Sequence, residues 1–259
     1  MRYKLEDLFD IKVGAVSTRT LAEKTRNKNK DENEKKENTE LSDAPMLRVI
    51  TYDNICSDNL KLENIEYKKV LNSFYEKNEK NSQLKEGDIV LNLMYPYNRS
   101  MVITKELEGC IVSNFNAILR PKNKEEVDSY FVQAILSGKR FLDKENGEFY
   151  NCIKDNSKAL AVVRTKDLGE IEIDLPSIEE QKRRAGIITD ISRRKRILRD
   201  LLDAENAMSE LFIEKMSYDY GMNDAFDSDG YSELKKERVK KFAGLVTEYQ
   251  NEIKKWTGQ

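Results

Sequence analysis

Residues 94–100, with the sequence MYPYNRS, concentrate side chains that can recognise a hydrogen-bonding partner. They place aromatic, amide, guanidinium and hydroxyl groups beside a proline, at Tyr95, Tyr97, Asn98, Arg99 and Ser100. A guanidinium matches the edge of guanine and an amide matches the edge of adenine, each through two hydrogen bonds. These residues also suit a tight connection between two strands with a polar surface. The combination favours base contact, with the strand connection as the alternative.

The segment SNFNA offers two more amides, at Asn114 and Asn116, on either side of Phe115. Successive side chains of a strand point to opposite faces, so the two amides would share one face, opposite the ring. That face could contact bases. Backbone hydrogen bonding at the edge of a sheet is an equally good interpretation.

Three shorter segments add polar and basic candidates. VSTRT contributes Thr18 and Arg19, TYDN contributes Tyr52 and Asn54, and SGKR contributes Lys139 and Arg140. The first two segments carry groups that suit base edges. The adjacent cations of SGKR suit phosphate better.

The sequence contains few of the residues and motifs that enzyme active sites use. The chain has no histidine, which excludes imidazole bases and most zinc enzyme sites. It also has no N-P-P-Y or D-P-P-Y tetrapeptide and no nucleotide-binding glycine loop. The cysteines at 56, 110 and 152 are widely spaced, which is typical of buried thiols. We expect no catalytic residues, no metal site and no enzyme activity.

The elements that must position these candidates indicate an α+β domain. The segment from Pro45 to about Leu175 is rich in strand patterns. Within it, MLRVITYDNI predicts a strand that leads into a polar turn, and ALAVVRTKDLGEIEIDLP predicts two short strands. Residues 127–135 instead have helical spacing, with Gly138 just past the helix end. Strands and helices mix without regular β-α-β order, which disfavours a doubly wound sheet. Residues 23–44 are highly charged and nearly free of large apolar side chains, so we predict a mobile loop there.

A long helix is predicted from Ile178 to about Tyr218. Ser177 and Glu180 have capping-box spacing directly after Pro176. Apolar residues then recur at steps of three, four or seven, which predicts a coiled-coil seam. That seam comprises Ile187, Ile191, Leu198, Leu201, Met208 and Phe212. A second helix, from about residue 232 to 256, could fold back on the first or complete a bundle between subunits.

The distribution of apolar residues indicates where in the cell the protein would be found. No stretch of about 18 apolar residues exists, and the opening MRYKLEDLFD lacks a secretory signal. We therefore expect a cytoplasmic protein without membrane contact. The net charge of −2 means that any DNA-binding face would have to segregate its positive charge.

Four blocks carry a family resemblance. In order they are LEDLFDIKVGAVSTR, LKEGDIVLNLMYPYNRSMVIT, GCIVSNFNAILRPK and IEIDLPSIEEQK. They resemble the successive blocks of the target recognition domain of a type I restriction-modification specificity subunit and its following helix. A full subunit has two such domains and this chain has one. The resemblance therefore implies a half-length form, with a recognition domain at 1–176 and a helical dimerisation and docking region at 177–259.

The resemblance also implies the partners. They are double-stranded DNA, adenine methyltransferase subunits that carry S-adenosylmethionine, and a restriction translocase or nuclease subunit. The chain itself would bind no cofactor. Two copies could form a homodimer, or one copy could pair with a different half. A competing hypothesis is an antagonist that binds restriction-modification subunits without reading DNA.

Overall fold

The computed structural model describes residues 1–15, 46–56, 65–70, 83–154, 161–219 and 228–258. The chain divides into two compact units, Met1–Ala185 and Gly186–Gln259. Sheets and helices mix in the first unit, and the second is helical, so the predicted α+β class is confirmed. The predicted loop at 23–44 and the candidates Thr18 and Arg19 lie outside the described residues.

The described strands and helices follow in chain order. The strands are β1 (Arg2–Lys4), β2 (Phe9–Val13), β3 (Met46–Ile50), β4 (Tyr67–Lys69), β5 (Ile89–Asn92), β6 (Ser100–Val102), β7 (Ile111–Val112), β8 (Asn116–Pro121) and β9 (Glu172–Asp174). The α-helices are α1 (Leu5–Leu8), α2 (Tyr52–Cys56), α3 (Ser129–Leu136), α4 (Lys139–Leu142), α5 (Glu148–Lys154), α6 (Thr165–Gly169), α7 (Ile178–Asp219) and α8 (Ser228–Thr257).

A four-stranded antiparallel sheet, in the order β2-β8-β5-β6, is the framework of the first unit. All four side chains of β5 are buried, which explains its apolar run of Ile89, Val90 and Leu91. Helices α3, α4 and α5 contribute Phe131, Leu136, Phe141 and Phe149 to the largest core cluster. A smaller sheet has the order β4-β3-β7, and β1 pairs with β9.

The last segment of the first unit differs from the predicted pair of strands. Val162 forms only an isolated bridge with Met94, and the helix α6 intervenes before β9. TYDN is not a polar turn but the start of α2, because the side-chain oxygen of Asn54 accepts hydrogen bonds from the backbone N and the hydroxyl of Thr51.

The start of α7 agrees with the predicted boundary. The Ser177 hydroxyl accepts a hydrogen bond from the Glu180 backbone N at 3.4 Å, as a helix cap does. The Glu180 carboxylate, however, binds Arg183 and Arg184 rather than closing the capping box. No helix in the described part of the chain is long and apolar enough to cross a membrane.

Within the second unit, α8 folds back antiparallel on α7. Arg193 binds Glu252 at 3.3 Å, and the guanidinium of Arg194 lies 4.9 Å from the centre of the Trp256 ring. Farther along, Arg238 donates to the backbone oxygen of Ala207. Of the two arrangements open to the second helix, folding back is therefore confirmed.

The packed face of α7 differs from the predicted seam. Ile197 and Leu211 are buried, and Leu201 and Met208 are half-buried. The other four predicted interface residues are exposed: Ile187, Ile191, Leu198 and Phe212. The apolar positions of α7 thus divide between two faces, of which the pairing with α8 covers one. A role for the exposed face in binding a partner stays a prediction.

Candidate nucleic-acid interface

One end of the four-stranded sheet gathers most of the predicted segments. Asn92, at the end of β5, is paired with Asn116 at the start of β8. Ser100, which begins β6, is paired with Leu91. The loops 93–99 and 113–115 therefore lie at the same end of the strands, and we call this part of the sheet the loop end.

Three buried asparagines hold the loop end together. The Asn92 amide donates to the side-chain oxygen of Asn116 at 3.3 Å and accepts from the Met94 backbone N at 2.8 Å. The Asn98 amide donates to the backbone oxygen of Asn92, and the Asn116 amide donates to the Ser113 hydroxyl at 2.7 Å. A buried amide is costly without partners, so this network determines the shape of both loops.

Two predicted base-contacting residues belong to this network. Asn98 and Asn116 are almost completely buried, and their amides are hydrogen-bonded inside the protein. The structure therefore gives them a positioning role. The predicted shared face of Asn114 and Asn116 is wrong, because the chain turns at 113–115 instead of continuing as a strand. Asn114 and Phe115 are both exposed on that turn.

The tyrosines of the loop have different surroundings. Tyr97 is exposed and meets Tyr52 edge to face, with ring centres 6.2 Å apart. The structure thus brings the TYDN segment to the loop end. Tyr95 is half-buried beside Tyr150, and its hydroxyl donates to the Lys144 backbone oxygen at 2.5 Å. Desolvation raises the pKa of Tyr95, so its hydroxyl remains a donor.

The end of the loop is attached to α3. The side chain of Gln133 donates to the backbone oxygen of Ser100 at 3.0 Å, and the Ser100 and Ser137 hydroxyls are 3.3 Å apart. Arg99 is half-buried, and its backbone oxygen accepts a hydrogen bond from Asn92 at 2.7 Å. The order of the loop therefore depends on both the sheet and α3.

Sequence reasoning missed Gln181, which attaches the first turn of α7 to the residues that precede α3. Its buried amide donates to the backbone oxygens of Glu126 and Pro176, and its oxygen accepts from the Asp128 backbone N, all at 3.0 Å. Asp128 in turn caps α3 by accepting from Phe131. The available signal in the sequence was its place in the first turn of the helix, four residues after Ser177.

Residues 1–204 match the model of the type I restriction modification DNA specificity domain. The chain belongs to this family. The match covers the loop end, the network of asparagines and the first part of α7. A search of curated protein sequences finds no match.

Solved specificity subunits resemble the chain at low identity. The HsdS subunit from Thermoanaerobacter tengcongensis is 14% identical, over 83% of this chain and 48% of that chain, with a TM-score of 0.49. The S subunit of a type I restriction-modification system from M. genitalium is 12% identical, over 86% and 47%, with a TM-score of 0.49. A third solved chain comes from work on complex assembly and conformational transition of the type I R-M system. It is 14% identical, over 98% and 45%, with a TM-score of 0.46. The chain thus spans about half the length of these structures.

Two basic candidates of the specificity domain lie in α4. Lys139 is exposed. Arg140 binds Glu148 at 3.3 Å and the Glu172 backbone oxygen at 3.1 Å. It lines a groove of about 420 Å³ in which every arginine has an acidic neighbour. These contacts make Arg140 a poorer candidate for phosphate than Lys139.

The described part of the specificity domain offers neither a reactive cysteine in its groove nor a cluster of metal-binding side chains. Cys152 lines the same groove, and burial raises the pKa of its thiol to about 11, which keeps it protonated and unreactive. Among the described residues, no group of three or more histidine, cysteine, aspartate or glutamate side chains could hold a metal ion.

Proposed function

We propose that this chain is the DNA-reading component of a half-length type I specificity subunit, and that its loop end reads one half of a two-part target. One observation carries the proposal. Within the residues that match the family, three buried amides hold the two loops of the loop end. The tips of these loops expose polar and aromatic groups. Binding sites are precise when buried hydrogen bonds support the contacting residues.

The groups at the loop end suit a DNA groove. Tyr97 and Asn114 are exposed at the tips of the two loops, and Arg99 lies at the base of the first. Base edges offer donors and acceptors that amides and guanidinium groups match. Lys139, three residues after α3, would contact phosphate.

The chemistry of modification would come from a partner. We propose that adenine methyltransferase subunits, carrying S-adenosylmethionine, bind the helical region and act on the DNA that this chain selects, in the cytoplasm. A nuclease or translocase subunit would join the same complex. The chain itself supplies recognition and no catalysis.

A complete two-part target needs two reading domains. Residues 1–204 match one specificity domain, and we propose that a second copy or a different half supplies the other. The exposed face of α7 offers apolar contacts for that association. A homodimer would recognise a palindromic split target.

Selection from duplexes with a randomised segment, with and without the methyltransferase, tests the proposal. We expect a split consensus and affinity that falls as salt rises. Arg99→Ala should relax one base position, whereas Lys139→Ala should weaken all duplexes alike. Tight binding to methyltransferase with no sequence preference would instead support the antagonist hypothesis.

Light scattering on the purified chain tests the oligomer. We expect twice the monomer mass of 30.2 kDa. A strict monomer that binds its target together with methyltransferase would refute the homodimer and leave pairing with a different half.

A further inference from the structure

The turn between β7 and β8 presents an exposed aromatic ring next to an exposed amide. Phe115 is 40% exposed, and Asn114 precedes it at the tip of the turn. Asn114 makes no side-chain hydrogen bond to any residue that the structure describes, so it is not part of the network of buried asparagines. The ring and the amide are therefore both accessible at the tip of the turn.

The backbone of this turn is held from three sides. The Asn116 backbone N donates to the Ser113 oxygen at 3.1 Å, and the Leu93 backbone N donates to the Phe115 oxygen at 2.8 Å. From the third side, Gly14 donates to the Asn116 oxygen at 2.8 Å, and a Cβ atom on Gly14 would lie only 2.2 Å from the Ser113 oxygen. A turn held in this way loses little conformational entropy when its tip binds.

An amide and a ring on consecutive residues match one particular base pair. In the major groove, adenine offers N6 and N7 to an amide, and the thymine paired with it offers a methyl group to an apolar side chain. A G·C pair has no methyl group. We propose that Asn114 and Phe115 read an A·T pair, with Asn114 on adenine and Phe115 on the thymine methyl group. This inference rests on the proposed function and names the two residues that determine one position of its target.

Selection with the full-length wild-type chain, from duplexes with a randomised segment, provides the reference consensus. With Asn114→Ala, we expect one A·T position to lose its preference while the others are kept. At that position, discrimination should fall by roughly 5- to 150-fold, the range of one bidentate contact of about 1–3 kcal/mol.

Replacing the thymine of that pair by uracil isolates the second contact, because it removes only the methyl group. For the wild-type chain, we expect affinity to fall about fourfold, the effect of exposing one methyl-sized group. The Phe115→Ala variant should bind the thymine and uracil duplexes equally.

Tyr130→Ala is the matched control, since Tyr130 is 41% exposed and lies on α3. It should keep both the consensus and the sensitivity to uracil. If Asn114→Ala and Phe115→Ala behave like this control, or weaken all duplexes alike, the inference is overturned and the proposed function stands. If the wild-type chain selects no consensus, the proposed function fails, and this inference fails with it.

Discussion

The unit Met1–Ala185 and the unit Gly186–Gln259 bury their apolar side chains to different extents. In the first, Phe9, Phe141 and Phe149 are almost completely inaccessible to water. In the second, Ile197 and Leu211 are buried, but large apolar residues such as Phe212 stay exposed. The first unit has a closed core, whereas several large apolar side chains of the helical unit stay exposed, and their binding to a partner stays a prediction.

The contacts inside the two units differ as well. Helices α7 and α8 meet partly through charged groups, among them Arg193 with Glu252. The Arg193 and Glu252 side chains are 38% and 16% exposed, so the attraction between them is offset in part by the cost of removing both charges from water. The first unit instead relies on buried aromatic packing, which contributes more. We therefore expect core mutations in the first unit to have the larger effects.

The largest effect should follow Phe149→Ala. This change removes a fully buried ring that packs 5.8 Å from the ring of Phe141. We expect the free energy of unfolding to fall by about 3–5 kcal/mol in urea denaturation followed by circular dichroism. Phe212→Ala, at a 58% exposed ring, is the control and should change the free energy of unfolding of the monomer by less than about 0.5 kcal/mol. Equal losses for the two variants would contradict the contrast between the units.

Gln181→Ala should have the next largest effect. It leaves the Asp128 backbone N and two backbone oxygens without their buried partner. We expect a loss of about 2 kcal/mol in the same denaturation assay. Gln250→Ala, which removes an exposed amide from α8, should have almost no effect. A loss below about 0.5 kcal/mol for Gln181→Ala would show that this attachment of α7 is unimportant.

Leu198→Ala should separate folding from association. The side chain is exposed on α7, so the free energy of unfolding of the monomer should change by less than about 0.5 kcal/mol. If this face binds a second chain, self-association should weaken about fivefold, measured by sedimentation equilibrium. Glu210→Ala, another exposed position on α7, serves as the control. Unchanged association for Leu198→Ala would exclude this residue from the interface.

The smallest effect concerns Glu180 in the first turn of α7. Hydrogen bonds from Arg183 and Arg184 lower the pKa of its carboxyl from 4.5 to about 2. A carboxyl whose pKa is lowered by folding stabilises the fold at pH values above its ordinary pKa of 4.5. That contribution is lost as the pH falls from about 4.5 towards 2. An NMR titration should show this pKa, and changing both arginines to alanine should return it towards 4.5. Since the group is exposed, stability should hardly change.

Parts of the fold could be predicted because their signals are local. The strand Ile89–Asn92 and the helix Ser129–Leu136 follow from the spacing of apolar residues, and Ser177 marks the start of α7. Within the loop, Tyr97 is exposed, and its contact with DNA stays a prediction. The packed face of α7 was harder to predict, because its apolar residues occupy two faces and only the position of α8 decides which face is covered.

By itself, the sequence determined the α+β class, the long helix and the segments that carry polar recognition chemistry, since these depend on composition, periodicity and capping within short stretches. Only the tertiary structure decided which amides face outward. Asn92 and Asn116 are 24 residues apart and meet through the pairing of β5 with β8, which buries Asn116 and leaves Asn114 at the tip of a turn. Burial of a polar side chain depends on partners that are distant in the chain, and no local pattern records them.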